Sequence, residues 1–256
     1  MQDLTCWVSE TVSGNIPCSF PFFNFKVRFF VIYYGLFFIE TLLPLVGDER
    51  SFMAFTGLID YGMGNLLSVS KALAAAGGEI RIVRDPAELT GADRIVLPGV
   101  GNFGDGMEHL RDSGFVPFVR EWIRADRPFL GICLGMQMLL ERSEEAPGVP
   151  GLGIVPGEVV RFPEGSEKVP HIGWNEVTVR PGGGNGFFPE SGAAQCFYFV
   201  HSYYAIPDEP EIIAGTCDYG IDVTAALSQN NLFSTQFHPE KSGEAGRNAI
   251  KIWLEK

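Results

Sequence analysis

The sequence predicts an α/β fold: a mostly parallel central sheet with helices on both faces, and a smaller β-rich part in the second half of the chain. From residue 53 onward, short apolar runs alternate with segments of helical spacing, the pattern of a parallel sheet covered on both faces. After about residue 150 the apolar runs become shorter and β-like. Cys133 directly follows one apolar run, at the carboxyl end of a predicted strand, where open parallel sheets form their sites.

Up to residue 142, predicted strands and helices alternate. Asn65 is a suitable cap for the first helix, and Gly77-Gly78 is a suitable end for it. The predicted strands of this half are 55–60, 80–83, 93–97 and 127–132; the predicted helices lie between Asn65 and Gly77, around 106–112, at 116–125 and at 134–142.

The second half predicts mainly strands, which lie at 157–162, 176–180, 196–205, 212–216, 224–228 and 232–237, with a closing helix at 244–254. Asn230-Asn231 is a candidate for a hairpin turn. The glycine-rich stretch Pro181–Gly186 predicts a flexible loop, and it lacks the helix and lysine of a phosphate-binding loop.

Residues 1–52 differ in composition from the rest and are left out of the fold prediction. They hold nine of the 21 phenylalanines, and Phe29–Ile39 is an unbroken apolar stretch of 11 residues, shorter than the roughly 20 that a membrane-spanning helix needs. Three interpretations remain: a membrane anchor, a packed extension, and a mis-assigned start with Met53 as the first native residue, which we favour. The expected organisation is an extension, 1–52, and one domain, 53–256.

Charge and cysteine content narrow the function classes. The net charge is −12 with a pI near 4.8, and no basic run occurs, which argues against a nucleic-acid partner. The five cysteines are an odd number without a C-x-x-C pair, so neither a zinc ribbon nor a dithiol redox motif is expected. We expect a cytoplasmic protein, because free thiols persist in a reducing compartment, and one without cofactor or metal.

Gly131–Gln137 predicts a nucleophile elbow around Cys133. An apolar strand, a sharp turn with glycine two residues to either side of the cysteine, and a helix follow one another here. The partial positive charge at a helix N-terminus favours a thiolate. The alternative is a buried packing residue, since free cysteine often behaves as a small hydrophobe.

His238 and Glu240 are candidates for a base and for the group that orients it. Pro239 favours an extended conformation for the residue before it. In an extended segment residues i and i+2 point to the same side, so Glu240 would lie beside the His238 ring and fix its tautomer. A zinc site is the alternative, but one cysteine and one histidine lack the clustered partners it needs.

Acyl transfer also needs backbone N–H groups that stabilise an oxyanion. Pro98–Gly101, at the end of a predicted strand, can supply them because glycine tolerates the unusual dihedral angles required; the alternative is a plain strand-to-helix turn. Elbow geometry makes the N–H of Leu134 a second donor. The candidate oxyanion residues are therefore Gly99, Val100 and Leu134.

Two segments resemble the signatures of class-I (triad) glutamine amidotransferases: GICLGMQ at 131–137 and QFHPEKS at 236–242. Four more, at 59–67, 97–103, 170–175 and 198–203, resemble the glutaminase subunits of imidazole glycerol phosphate synthases, enzymes of histidine biosynthesis. The resemblance covers about 55–256 and implies a flavodoxin-like glutamine amidotransferase domain. Residues 1–52 and 182–186 have no counterpart in the family pattern.

The resemblance implies a role for each matching residue. Cys133 would attack the side-chain carbonyl of glutamine and release ammonia, with His238 as the base and Glu240 as its orienter. The family pattern further implies glutamine binding by Gly101, Gln137, Ser202 and Tyr203, and partner contacts by His171, Trp174, Asn175 and Lys241. It also implies that the Gly99-Val100 peptide reorients to complete the oxyanion hole.

A heterodimer with a cyclase subunit is the last implication of the resemblance. In the family, ammonia passes through a tunnel into a (βα)8-barrel cyclase, and residues 53–256 suffice for one α/β domain but not for a barrel of about 250 residues as well. A free-standing γ-glutamyl hydrolase and a non-enzymatic remnant are the alternatives. The partner-facing segment 170–175 argues against the first, and the complete triad argues against the second.

Overall fold

The computed structural model describes residues 55–165, 167–181, 187–188 and 194–256. These residues fall in one unit of the chain, Met53–Lys256. The extension 1–52, Met53 and the glycine-rich stretch 182–186 lie outside the described residues, so what the sequence predicts for them stays a prediction.

Within the described residues, nine strands form one large sheet with a parallel and an antiparallel half. The strands are β1 (Phe55–Ile59), β2 (Ile80–Val83), β3 (Ala92–Leu97), β4 (Phe129–Ile132), β5 (Arg142–Ser143), β6 (Gly157–Arg161), β7 (His171–Val179), β8 (Ala194–His201), β9 (Tyr203–Pro207), β10 (Ile213–Asp218), β11 (Asp222–Gln229) and β12 (Leu232–Thr235). The large sheet has the order β2-β1-β3-β4-β12-β11-β10-β7-β8. It is parallel from β2 to β12 and antiparallel from β12 to β8.

The helices connect the strands of the parallel half and close the chain. They are α1 (Leu66–Ala75), α2 (Phe103–Asp112), α3 (Phe115–Arg124), α4 (Leu134–Gln137) and α5 (Gly243–Leu254). The side chain of Asn65 accepts a hydrogen bond from the Ser68 N–H, which confirms the predicted cap of α1. The side chain of Asn102 caps α2 in the same way, accepting from the N–H groups of Gly104 and Asp105.

Two apolar cores lie on opposite faces of the large sheet. Phe103, Leu110 and Trp122 of α2 and α3 pack with one cluster, and Leu73 and Ile250 of α1 and α5 pack with the other. Because both faces are covered there, the inner parallel strands β1 and β4 are buried at every residue. The predicted α/β architecture is confirmed, and the parallel strands bring their carboxyl ends to one edge.

The helix predicted at 134–142 is wrong in length, because α4 ends at Gln137. The carbonyls of Met138, Leu139 and Leu140 accept hydrogen bonds from the returning segment 152–155 instead of from a further helical turn. All three side chains are fully buried. The run of consecutive apolar residues at 138–140 therefore belongs to a buried loop. It is not the apolar face of a longer helix.

The strand predicted at 196–205 is divided in the structure. β8 pairs with β7 in the large sheet, whereas β9 pairs with β6 in a separate sheet of β5, β6 and β9. The chain therefore changes sheets at Ser202, between two apolar runs that look continuous in the sequence. The smaller β-rich part predicted for the second half corresponds to this sheet and to the antiparallel half of the large one.

None of the helices in the described parts of the chain has both the length and the apolar character needed to span a membrane.

Candidate active site

Cys133 occupies a strained elbow between β4 and α4. Its φ of 54° and ψ of −107° lie where residues with a side chain are rarely found. Its N–H donates to the carbonyl of Thr235 on β12 at 2.7 Å, and its own carbonyl accepts from the N–H groups of Met136 and Gln137. Hydrogen bonds on both sides thus hold the conformation, as the sequence predicts for a nucleophile elbow.

The two glycines of the elbow are required by close backbone contacts. A Cβ at Gly135 would lie 2.0 Å from the carbonyl oxygen of Leu97, where β3 ends. A Cβ at Gly131 would lie 3.0 Å from the Gly135 oxygen. α4 therefore sits directly on the end of the sheet, and the Cys133 side chain is 7% exposed.

His238 and Glu240 form a buried hydrogen-bonded pair. His238 Nδ1 lies 2.8 Å from Glu240 Oε1, and the two side chains are 2% and 1% exposed. His238 is extended, as predicted, but Pro239–Lys241 form a single 3₁₀ turn and not a continued strand. Glu240 lies beside the ring as predicted, but the 3₁₀ turn and not an extended strand brings it there.

The other ring nitrogen of His238 faces the thiol. Burial alone would lower the pKa of His238, but hydrogen bonding and charge interactions with Cys133 and Glu240 outweigh it and raise the pKa to about 10. Within the described residues, Nε2 has no hydrogen-bond partner of regular geometry. A buried donor of this kind, held beside a sulfur, is suited to proton transfer with whatever binds there.

The predicted oxyanion loop packs against the elbow. A Cβ on Gly99 would lie 2.7 Å from the Leu134 Cβ and 3.0 Å from the Gly135 N, so only glycine fits. Val100 is 38% exposed, and Gly101 has a φ of +97°. The structure thus brings Gly99 and Leu134 together, while the roles of all three predicted donors stay predictions.

Tyr61 is a buried residue of this site that sequence reasoning missed. Its hydroxyl donates to the Pro98 carbonyl at 2.9 Å and so ties β1 to the loop of Gly99. Burial, and after it the charge of Cys133, raises the pKa of Tyr61 above its usual value. In the sequence, the position looks like the first residue of a turn after β1, and no spacing signal links it to residue 98.

Gln137 and Gln236 form a carboxamide pair next to the thiol. Gln137 Nε2 donates to the Tyr203 carbonyl and to Gln236 Oε1, both at 3.0 Å. Gln236 Nε2 donates in turn to Cys133 Sγ at 3.7 Å, and its side chain is fully buried. Gln236 was not among the predicted site residues, although its place two residues before His238 on a buried strand is visible in the sequence.

The residues predicted for glutamine binding are only partly joined by the structure. Tyr203 and Gln137 are connected through the hydrogen bond above, whereas the Ser202 carbonyl accepts from the Phe162 N–H. Both hydrogens of the Gln137 amide are used within the protein. Its role in glutamine binding therefore stays a prediction.

The residues predicted for a partner contact divide into exposed and buried ones. Trp174 on β7 is 57% exposed, its neighbour Ile172 is 59% exposed, and Lys241 is exposed beside the Tyr198 ring. His171 differs: it is 2% exposed. Its ring stacks on Phe199 at 4.7 Å and on Tyr219 at 3.9 Å. Direct contact of the His171 side chain with a partner is therefore not supported.

The arrangement has the parts of a cysteine acyl-transfer site: a thiol on a strained elbow, a histidine paired with a carboxylate, and backbone N–H groups nearby. Within the described ranges, no group of three or more His, Cys, Asp or Glu side chains is placed to hold a metal ion.

Comparison with known proteins identifies the family. Residues 57–252 match the profile of glutamine amidotransferase class-I. The chain is 48% identical over 199 residues to the imidazole glycerol phosphate synthase subunit HisH of Moorella thermoacetica, covering 77% of this chain and 93% of that protein. It is 46% identical over 211 residues to the subunit of the same name from Geobacter sulfurreducens, covering 79% and 99%.

Solved structures agree on the fold. A crystal structure of a glutamine amidotransferase matches with a TM-score of 0.63 at 19% identity, covering 79% of this chain and 98% of that one. The structure of PurLQS from Thermotoga maritima matches with a TM-score of 0.64 at 18% identity, with the same coverage. Together with the sequence matches, this shows that the chain belongs to the class-I glutamine amidotransferases, in the group of the imidazole glycerol phosphate synthase glutaminase subunits.

Proposed function

We propose that this chain hydrolyses the side-chain amide of glutamine and delivers the ammonia to a separate cyclase subunit, which forms imidazole glycerol phosphate and aminoimidazole carboxamide ribotide in histidine biosynthesis. The observation that carries the proposal is the buried His238–Glu240 pair, 2.8 Å between Nδ1 and Oε1, whose histidine faces the Cys133 thiol. Identity of 48% and 46% to two proteins named as subunits of imidazole glycerol phosphate synthase supports it.

In the first step, the Cys133 thiolate attacks Cδ of glutamine. The raised pKa of His238 keeps its ring protonated at neutral pH, so a positive charge faces the sulfur. Attack places a negative charge on the carbonyl oxygen, and the N–H groups at Gly99, Val100 and Leu134 would stabilise it. Glu240 keeps the ring oriented and compensates its positive charge.

In the second step, the tetrahedral intermediate breaks its C–N bond. His238 gives its proton to the leaving nitrogen, so ammonia and a γ-glutamyl thioester form. Neutral His238 then takes a proton from water, whose oxygen attacks the thioester carbon. Cys133 leaves as a thiolate, the imidazolium is restored, and glutamate is released. The sum is glutamine plus water giving glutamate plus ammonia.

A partner that receives this ammonia is supported by an exposed apolar surface near the site. Ile172 and Trp174 lie on β7, and Trp174 packs beside Tyr198 with ring centroids 6.2 Å apart. Large apolar side chains exposed side by side are typical of surfaces that another protein covers. The same observation favours a subunit over a free-standing hydrolase.

The decisive experiment supplies the complex with two nitrogen sources. In the complex of this chain with the cyclase, Cys133→Ala should reduce glutamine-dependent turnover at least about 1000-fold, because no other group can form the thioester. Turnover with ammonium should persist, because it does not need the glutaminase site.

Cys196→Ala is the matched control, since Cys196 is a free cysteine on the surface. It should leave both activities unchanged. If wild-type chain hydrolyses glutamine rapidly alone and the cyclase gains nothing from its presence, the chain is a free-standing hydrolase and the proposal is wrong.

A further inference from the structure

Four buried polar side chains near the site have no part in the chemical steps above. Gln236 is fully buried, Gln137 is 5% exposed, and His201 and His171 are 6% and 2% exposed. Burying such groups costs free energy unless each is hydrogen-bonded. Their hydrogen bonds connect them to one another and to Cys133.

The first part of this connection links the thiol to strand β9. Gln236 Nε2 donates to Cys133 Sγ at 3.7 Å, and Gln236 Oε1 accepts from Gln137 Nε2 at 3.0 Å. The second hydrogen of the Gln137 amide goes to the Tyr203 carbonyl. The Tyr203 carbonyl can only accept, so Gln137 turns its nitrogen toward it and toward Gln236. Gln236 must therefore accept with its oxygen and present its nitrogen to the sulfur.

The second part runs from β9 to the exposed strand β7. His201 Nδ1 lies 2.8 Å from the same Tyr203 carbonyl, which can only accept, so this nitrogen carries a hydrogen. His201 Nε2 lies 3.0 Å from His171 Nδ1, and His171 Nε2 lies 3.4 Å from Asn175 Nδ2, which can only donate. Both ends thus require the same tautomer of each histidine, with the hydrogen on Nδ1.

This pattern needs both histidines to be neutral. A second proton on His201 would lie on Nε2, against the Nδ1–H of His171 at 3.0 Å. A second proton on His171 would lie on Nε2, against the Asn175 amide nitrogen at 3.4 Å. Burial lowers the pKa of His171 to about 4 and, as the largest cause, that of His201 to about 3. Both are therefore neutral at neutral pH, unlike His238.

We infer that these side chains form a relay that positions the Cys133 thiolate: Gln236 is the positioning residue that contacts the sulfur. His201 on β8 and His171 on β7 act on it through Gln137. The inference rests on the proposed function in one respect, that Cys133 is the nucleophile. Asn175 also donates to the Asp218 carbonyl on β10, so the outer end of the relay is anchored in the large sheet.

The test is alkylation of Cys133 by iodoacetamide in the full-length chain without a partner, followed by mass spectrometry of the Cys133 peptide from pH 5 to 10. Gln236→Glu keeps the acceptor for Gln137 but places a negatively charged oxygen where the nitrogen faced the sulfur. Alkylation at pH 7 should slow roughly tenfold, and the midpoint of the pH profile should rise by about one unit.

Gln229→Glu is the matched control, because Gln229 is exposed at the end of β11 and the charge change is the same. It should leave the alkylation profile unchanged. A folded Gln236→Glu chain with the wild-type profile would overturn the inference.

The outer end of the relay is tested by two substitutions of His171. In His171→Asn the amide can still donate to His201 Nε2, whereas His171→Leu removes the donor at similar volume. Alkylation should be close to wild type in the first and several-fold slower in the second. Equal rates in both folded variants would contradict a relay through the histidines; should His171→Leu not fold, Asn175→Leu replaces it and should also slow alkylation.

Failure of the two proposals is distinguishable. Alkylation needs neither glutamine nor a cyclase. If Gln236→Glu slows alkylation but the wild-type complex shows no glutamine-dependent turnover, the proposed function is wrong and the relay is still supported. In the active complex, Gln236→Glu should lower kcat with glutamine while turnover with ammonium is unchanged. A changed ammonium rate would indicate a general structural defect and count against the relay.

Discussion

Cys133 combines a reactive side chain with a backbone conformation that few residues adopt. Its φ of 54° would suit glycine better, and the neighbouring hydrogen bonds to β12 and within α4 hold it in place. Such strain costs on the order of 1–3 kcal/mol and is retained only where the surroundings over-determine it. At this position the strain has a use, because it lifts the thiol out of the strand toward His238.

Comparing two substitutions of Cys133 measures the strain. Both Cys133→Ala and Cys133→Gly remove the sulfur, but only alanine keeps the Cβ that makes the conformation costly. We expect the glycine variant to unfold in urea with a free energy about 1 kcal/mol higher than that of the alanine variant, a margin reduced by the greater entropy of unfolded glycine. An alanine variant of equal or greater stability would show that the elbow is not strained.

Residues of the site were predictable where the signal is local. The elbow glycines and the His-Pro-Glu segment each lie within a few positions of the residue they serve, so Cys133, His238 and Glu240 follow from short motifs. Gln236 contacts Cys133, which lies 103 positions away in the sequence, and Tyr61 contacts Pro98, which lies 37 positions away. No rule based on sequence spacing predicts such contacts. The burial of His171 likewise follows from rings on β8 and after β10.

Among the structural elements, the four-residue helix α4 is held in position by its contacts with the rest of the fold. The helix is too short to be stable by its own hydrogen bonds. Its position comes from contact with β3 through Gly135, and from the segment 151–155, which satisfies the carbonyls beyond its end. The position of the elbow is therefore set by tertiary packing.

Substitution of Gly135 by alanine tests the contact between α4 and β3. In Gly135→Ala, the Cβ would lie 2.0 Å from the Leu97 oxygen, so α4 has to move away from the sheet. We expect a loss of about 3 kcal/mol in the free energy of unfolding, together with loss of glutaminase activity. Gly77→Ala, with a φ of +101° but nothing within 4 Å, should cost only about 1 kcal/mol in urea denaturation. Equal losses would mean that the contact is not tight.

The same packing explains where the prediction of elements failed. Periodicity correctly located α1, α2, α3 and α5, each of which has one face on the sheet. It failed at 138–142, where the first three side chains are fully buried, and at Ser202, where the chain passes from one sheet to the other. In both places the neighbours that decide the structure are distant in sequence, and the apolar pattern alone does not distinguish the alternatives.

For the molecule as a whole, the three buried histidines make stability depend on pH in opposite directions. The pKa of His238 is raised to about 10, so its contribution is complete below pH 6.5 and is lost as the pH rises toward 10. The pKa values of His171 and His201 are lowered to about 4 and 3. Their contribution is complete above pH 6.5 and is lost as the pH falls. Maximum stability is therefore expected near pH 6.5.

The acid side gives the sharper measurement, because between pH 6.0 and 4.5 most carboxylates remain charged and His238 is protonated in both states. The unfolded chain then binds up to two more protons than the folded one, so the free energy of unfolding should fall by up to about 2.7 kcal/mol per pH unit. His171→Asn removes one titrating ring but keeps the donor to His201, so the slope should fall to about half. Urea denaturation at several pH values measures both slopes. Equal slopes in the two proteins would mean that His171 is protonated in the folded state as readily as in the unfolded chain, and the neutral histidine pair would have to be abandoned.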